Sequence, residues 1–372
     1  RGVLDNSKAE YQTYPEDDYN RLEPGIALGG PIVRDKMWFF GAYQPALSTT
    51  KRTVNAETSG NPNSSNFTDV ESKQSVQYIS ANTTAQIGNN IRTRVSYNNS
   101  WSKTDGRLPA QAGTTSQLAL LDYDTAYPNW SLSANLDWVA TPSLYFGFRG
   151  GYYISDTNDT GVPDEIRYLY SRGNVGQAGV PASFQHAANF SNVFTNNATE
   201  FDKQTRAYFQ TDATFYVNAA GQHTFKGGMQ FDRVGNEVLS GEQQNLVRLQ
   251  WGSSLSGMSG PYGYYQVRSN GSDPSRGFTT DGSVSTNNIG LFFQDAWTVN
   301  NKLTINLGIR TEQEKVPTYV TSDPTIPEFG VEWGFGEKLA PRAGFAYDIK
   351  GDGKWKAYGS WGIFYDIFKL SM

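Results

Sequence analysis

Polar or charged side chains alternate with apolar ones in several segments of this sequence. Because successive side chains of a β-strand point to opposite faces, this spacing predicts one charged face and one apolar face. A charged face can bind a solute, but a water-filled wall also solvates such residues, and ion pairs with another segment would use the same ones. The candidate ligand-binding residues on this face are Arg92, Arg94, Arg149, Arg206, Asp212, Asp232, Arg310, Arg342 and Lys356.

Four aromatic residues form a second group of candidates, and they lie in the longest connection between predicted strands. Trp251, Tyr262, Tyr264 and Tyr265 could stack on a sugar or a peptide. Loops held by a rigid scaffold frequently carry binding residues. The alternative is that these aromatic rings pack against the loop itself.

The residue types and motifs that indicate catalysis or metal binding are missing from the sequence. The chain has no cysteine, which excludes disulfides, zinc thiolate sites and thiol catalysis. Its two histidines, His186 and His223, are far apart and lack ligand spacing. Residues 156–161 resemble the start of a calcium loop, but Arg167 occupies the position where that pattern requires glutamate. We therefore expect no enzymatic activity, no cofactor and no bound metal.

Composition and charge exclude two further classes of protein. The net charge is −5 and the basic residues are scattered, which gives no support to nucleic-acid binding. Hydrophobic residues make up only 37% of the chain, and no run of about 18 apolar residues exists that could form a transmembrane helix. A transmembrane β-barrel keeps such a polar average, because only alternate residues face lipid. The aromatic content of 14% is consistent with rings at the membrane interfaces.

The elements that would position these side chains are paired strands. In residues 75–101, apolar residues hold the odd positions on both sides of a Gly88-Asn89-Asn90 turn. The same pattern predicts about twelve strands of about 10 to 14 residues, a length that exceeds ordinary soluble strands and is sufficient to cross a membrane. The six predicted hairpins span residues 26–43, 75–101, 130–154, 209–231, 289–309 and 339–365.

The connections between the predicted strands alternate strictly in length. Turns inside a pair take about two to five residues, whereas the links between pairs are much longer, as in outer-membrane barrels. The longest link contains strand-like pieces at 246–251 and 262–268, which we expect to extend a hairpin above the membrane. We predict an all-β antiparallel transmembrane barrel. The predicted outer loops span residues 48–72, 103–126, 155–202, 235–287 and 311–337.

Several segments resemble the Oar-like subgroup of TonB-dependent receptors, whose members usually carry a carboxypeptidase-regulatory-like domain. Residues 28–41 (LGGPIVRDKMWFFG) are similar to the first-hairpin signature of that subgroup. The other matching segments follow in the expected order, and they are 290–297 (GLFFQDAW), 303–310 (LTINLGIR), 340–348 (APRAGFAYD) and 359–366 (GSWGIFYD).

The resemblance implies a barrel of about 22 strands in the bacterial outer membrane, filled by a plug and energised by the TonB complex. On this reading residues 1–372 are a partial barrel, cut at both ends from a larger protein. The plug and the TonB-contacting segment lie elsewhere, and residues 1–6 resemble the tail of the first barrel strand. The expected partners are outer-membrane lipid, the TonB complex through that plug, and an unidentified peptide, carbohydrate or chelate. Two alternatives are a passive porin and a surface interaction protein that uses the barrel as a pedestal.

Overall fold

The computed structural model describes residues 15–57, 67–257, 260–270, 277–319 and 324–366. The predicted strand tail at residues 1–6 lies outside these ranges. Within them, no helix is long and apolar enough to cross a membrane. Two short 3-10 helices span Thr115–Asp122 and Ala182–Phe184. The strands are β1 (Asp18–Leu22), β2 (Ile26–Val33), β3 (Met37–Glu57), β4 (Phe67–Ile87), β5 (Ile91–Asp105), β6 (Ala112–Thr114), β7 (Asp124–Tyr127), β8 (Asn129–Thr141), β9 (Leu144–Ser155), β10 (Asn158–Thr160), β11 (Arg167–Arg172), β12 (Asn197–Asn218), β13 (Gln222–Glu242), β14 (Leu246–Trp251), β15 (Gly263–Arg268), β16 (Thr279–Asn300), β17 (Leu303–Pro317), β18 (Phe329–Trp333), β19 (Leu339–Asp348) and β20 (Lys356–Gly362).

The principal strands form one antiparallel sheet in which neighbours in space are neighbours in the chain. Its order is β2, β3, β4, β5, β8, β9, β12, β13, β16, β17, β19 and β20. The six predicted hairpins and the all-β antiparallel class are confirmed. Within the described residues β2 and β20 are not paired with each other, so the sheet is open at both edges.

Several strands are longer than the alternation predicted. β3, β4 and β13 have 21 residues each, and β12 and β16 have 22. At about 3.3 Å per residue such a strand is about 70 Å long, more than twice the thickness of the hydrocarbon core. The predicted loops 48–72, 155–202, 235–287 and 311–337 are therefore too long. In these segments polar residues occupy both faces, so the alternation of polar and apolar residues ends. The strands continue because hydrogen bonds between backbones do not require apolar side chains.

The longest connection contains a separate small sheet instead of a simple extension of a barrel hairpin. The two strand-like pieces form β14 and β15, which pair antiparallel with each other, and β11 from a different connection adds to β14 in parallel. The expectation that they extend a barrel hairpin was therefore wrong. The strands that extend the barrel hairpin are β13 and β16 themselves, which pair up to Gly241 and Thr279. We call the β11, β14 and β15 sheet the loop sheet.

The two faces of the main sheet differ near the short turns. Large apolar side chains on one face are exposed, including Leu132 at 44%, Phe293 at 54% and Leu307 at 55% relative exposure. The buried apolar residues that exist lie mostly toward the loops, for example Val54 and Val238. A sheet with an exposed apolar face and no compact interior has the arrangement that lipid would cover.

Candidate functional site

The predicted charged face is assembled by the strand register. Directly opposed residues share a face of a sheet, so a chain of cross-strand partners forms a row. One row crosses seven strands from β5 to β17, and we call it the wall row. Its members are Arg92, Asp137, Gly147, Asp212, Gly228, Phe292 and Arg310.

Asp212 is the centre of the first ion-pair network on the wall row. Its side chain is only 2% exposed, and it lies 3.5 Å from an Arg149 guanidinium nitrogen and 3.2 Å from Lys226 Nζ. Arg149 also reaches Asp137 at 3.3 Å. Gly147 makes room for this cluster, because a Cβ there would lie 2.5 Å from Arg149 Nη1. Two of the predicted candidates, Arg149 and Asp212, therefore neutralise each other and their neighbours.

A second network joins three more predicted candidates. Arg206 donates from Nε and Nη2 to one Asp232 oxygen at 2.8 and 2.7 Å. Gln230 donates to the other Asp232 oxygen at 2.6 Å and accepts a hydrogen bond from Arg310 at 3.1 Å. Arg310 also pairs with Glu312. Gln230, Asp232, Arg310 and Glu312 line a small cleft on the sheet.

Where the structure describes the chain, the remaining charged candidates take part in no such network. Arg92 lines an open cleft beside Asp35 and Trp38, and no ion pair of Arg92 or Arg94 is found within the described part of the chain. The Arg342 guanidinium lies 4.4 Å from the centre of the Phe364 ring. Lys356 is opposite Asp348 in the last hairpin, outside both networks.

Several charged residues of this face were not among the sequence candidates. Asp137 and Lys226 have the parity of the polar face, but only the cross-strand register brings them beside Arg149 and Asp212. Glu314 and Lys338 form a buried ion pair, with the Lys338 ammonium 4.6 Å from the Trp333 ring centre. Glu314 lies in the predicted loop 311–337 and Lys338 follows that loop directly, so neither is part of the alternating pattern of a predicted strand.

The loop aromatics divide into two groups. Trp251 stacks on Tyr170 at 6.4 Å and meets the edge of Tyr262 at 6.1 Å between ring centres. His186 joins this cluster beside Tyr170 at 4.8 Å. Tyr265, by contrast, is 67% exposed on β15, next to Tyr264. Trp251 and Tyr262 thus pack within the loops, whereas Tyr265 is free to contact another molecule.

A polar junction holds the loops to the loop side of the sheet. Asp159 accepts hydrogen bonds from the Thr199 N–H at 3.0 Å and the Thr125 hydroxyl at 2.7 Å, and it pairs with Arg107. Burial alone would raise the pKa of Asp159, but these three partners together lower it. Asp156, in the segment resembling a calcium loop, accepts from the backbone N–H groups of Thr157 and Asp202. Across the described ranges no cluster of three or more acidic, histidine or cysteine residues could hold a metal ion.

Aromatic residues on the apolar face form two bands. Trp138 stacks with Phe146 near the turns, and Trp130 packs with Tyr97 and Tyr152 toward the loops. Trp130 and Trp138 are both on β8, so eight residues of strand separate the bands by roughly 26 Å along the strand, or about 20 Å along the membrane normal at a tilt of about 40°. Outer-membrane barrels carry an apolar band of about 25 Å between two aromatic girdles. The sheet, its two faces and its girdles define a β-barrel protein of the bacterial outer membrane.

Comparison with known proteins agrees with this class. Residues 46–326 match the family described as outer membrane beta barrel domain, and the chain belongs to that family. It is 25% identical, over 94% of its length, to the TonB-dependent transporter Oar of Myxococcus xanthus, and it spans 38% of that protein. The expected resemblance to the Oar-like TonB-dependent receptors is confirmed.

A solved structure with a TM-score above 0.5 shows the same fold. The outer membrane transporter YddB from Escherichia coli superposes over 90% of this chain and 37% of its own, with a TM-score of 0.54 and 9% identity. The siderophore receptor PirA from Acinetobacter baumannii covers 93% of this chain and 40% of its own, with a TM-score of 0.43 and 12% identity.

Proposed function

We propose that this protein imports a solute across the outer membrane with energy from the TonB complex. The observation that carries the proposal is the similarity along 94% of the chain to the TonB-dependent transporter Oar. The two-faced sheet supports it, because one face suits lipid and the other suits a water-filled lumen. The long connections then face the outside of the cell and the short turns face the periplasm.

The open edges of the sheet support a larger barrel. Unpaired backbone groups are very costly in hydrocarbon, so β2 and β20 need further strands beside them. A closed barrel of about 22 strands, the size implied by the family, would supply those partners. Residues 1–372 would then form part of the barrel, with a plug contributed by another segment of the same protein. Arg92 and Arg94, which lack carboxylate partners in the described wall, are the residues we assign to the plug or to the passing solute.

The test compares four strains, with and without this gene and with and without a functional TonB. The measurement is the small-molecule content of the periplasm by mass spectrometry after growth in a complex medium. We expect at least one solute whose periplasmic level depends on both genes. A level that depends on this gene alone would contradict the proposal and indicate a passive porin.

A deletion separates transport from the pedestal alternative. Replacing residues 243–278 by a short turn removes β14 and β15, two of the three strands of the loop sheet, and leaves the last β13 and β16 pair at Gly241 and Thr279 intact. Under the transport proposal the deletion lowers TonB-dependent accumulation. Unchanged accumulation together with loss of a surface partner would support a surface interaction protein instead.

A further inference from the structure

One face of the loop sheet is strongly basic. Cross-strand partners define three rungs of three residues, and the nine positions include four arginines and no carboxylate. We call this surface the basic face. Its rungs are Arg167, Leu246 and Arg268; Leu169, Arg248 and Gln266; and Arg172, Gln250 and Tyr264.

Among the residues that the structure describes, the positive charge of the basic face is poorly compensated. The carboxylate found there in contact with it is Glu242, at 3.7 Å from Arg268. Arg167 is half-buried and donates to the Ser191 hydroxyl at 3.1 Å rather than to an acidic group. Burial, with a smaller contribution from neighbouring Arg248, lowers the pKa of Arg167, and Glu242 opposes this effect. An added anion would therefore be stabilised by several guanidinium groups at once.

The outer strand of the loop sheet is β15, and no other described strand lies against its second edge. Within the described part of the chain, the backbone groups of residues 264–268 pair only with β14. Tyr265 and Val267, on the face opposite the arginines, are 67% and 50% exposed. An unpaired strand edge with exposed side chains on both faces is the surface to which an extended peptide adds as a further strand.

We propose that β15 binds an extended acidic peptide, which adds to its free edge and places alternate carboxylates on the basic face. The peptide residues opposite Arg268, Gln266 and Tyr264 would be acidic, and the intervening residues would cover Tyr265 and Val267. This inference names the substrate class of the proposed transporter and rests on that function. Arginine is suited to the role because its planar guanidinium binds a carboxylate through two parallel hydrogen bonds.

The test measures binding of a fluorescein-labelled (Glu-Val)4 octapeptide to the full-length protein in detergent, by fluorescence anisotropy at low salt. We expect the double variant Arg248→Gln, Arg268→Gln to bind about tenfold more weakly, since it removes two charge-assisted contacts. The control Arg34→Gln has the same type of change at a 94% exposed side chain on the turn side, and its affinity should stay unchanged. Equal affinities of the double variant and the control would overturn the inference.

Two peptide controls separate strand addition from a general attraction of anions, and they leave the protein unaltered. Two further (Glu-Val)4 peptides carry N-methyl groups on alternate amides, in one phase or the other. Strand addition requires at least one of them to bind much more weakly, because methylation removes backbone donors. If both bind like the parent peptide, or if inorganic pyrophosphate at equal charge competes as well as the peptide, the inference is wrong.

Failure of this inference is distinguishable from failure of the proposed function. Binding to the purified protein requires no TonB, whereas accumulation in the four strains does. Loss of peptide binding with intact TonB-dependent accumulation of another solute would remove the acidic peptide and leave the transporter.

Discussion

The wall row and the basic face place arginines on strands in the same way but balance their charge differently. Beside the wall row, Arg149 lies between Asp137 and Asp212, and a third carboxylate, Asp232, binds Arg206. On the basic face, Arg248 has only glutamine and leucine as cross-strand partners. The comparison indicates that paired arginines stabilise the sheet, whereas arginines without acidic partners are available to a ligand.

The largest expected effect comes from removing Asp212, and it tests whether the paired arginines stabilise the sheet. Asp212→Asn leaves Arg149 and Lys226 without their shared carboxylate in a nearly buried position. Breaking a buried pair from one side is costly, and we expect a loss of about 3 kcal/mol in the free energy of unfolding. The measurement is urea unfolding of the full-length protein in phospholipid vesicles, followed by tryptophan fluorescence.

The matched control for that variant is Asp35→Asn. Asp35 lies in the turn between β2 and β3 with its side chain 90% exposed, beside Arg34 at 3.8 Å. Exposed ion pairs contribute at most about 1 kcal/mol, so this change should leave stability nearly unaltered. Equal losses for the two variants would show that the wall network has no special role.

A glycine on the wall row gives the second largest effect. A Cβ at Gly228 would lie 2.4 Å from the Thr211 carbonyl oxygen and 2.8 Å from the Phe292 ring. Since the backbone oxygen cannot move freely, Gly228→Ala should cost about 2 kcal/mol in unfolding free energy. Gly41→Ala on β3 is the control, because a Cβ there meets nothing within 4 Å. A stable Gly228→Ala protein would show that Phe292 is not held against the wall.

The junction between wall and loops has a predicted pH dependence. The folded protein lowers the pKa of Asp159. The stabilisation that ionised Asp159 provides is therefore complete above the ordinary aspartate pKa of about 4. It disappears as the pH falls through the pKa of Asp159 in the folded protein. We expect amide hydrogen exchange of β7 and β10 to accelerate in Asp159→Asn at neutral pH, by a local loss of about 1.5 kcal/mol. The wild type should approach the variant only at acidic pH. A difference that persists undiminished below that pH would contradict the assignment.

The hairpins were predictable because their turn-side halves alternate strictly between polar and apolar residues. The register then follows from each short turn, as at residues 88–90, where Ile87 pairs with Ile91. What could not be predicted was the loop-side half, where Lys203 and its neighbours carry polar groups on both faces. Contacts such as Arg310 with Gln230 join strands 80 residues apart, and no local pattern encodes them.

The smallest expected effect on stability is that of a variant in the loop sheet, Arg248→Gln. Arg248 is exposed, its cross-strand partners are uncharged, and it lies near enough to Arg167 to disfavour that residue's charged form. Arg248→Gln should therefore change the free energy of unfolding by less than about 0.5 kcal/mol. If the variant differs from the wild type, it should be the more stable of the two. The same urea measurement applies, with Arg206→Gln as the matched change on the wall. If Arg248→Gln lowers the free energy of unfolding as much as Arg206→Gln does, both sets of arginines are structural. The basic face would then not differ from the wall as a surface available to an anion.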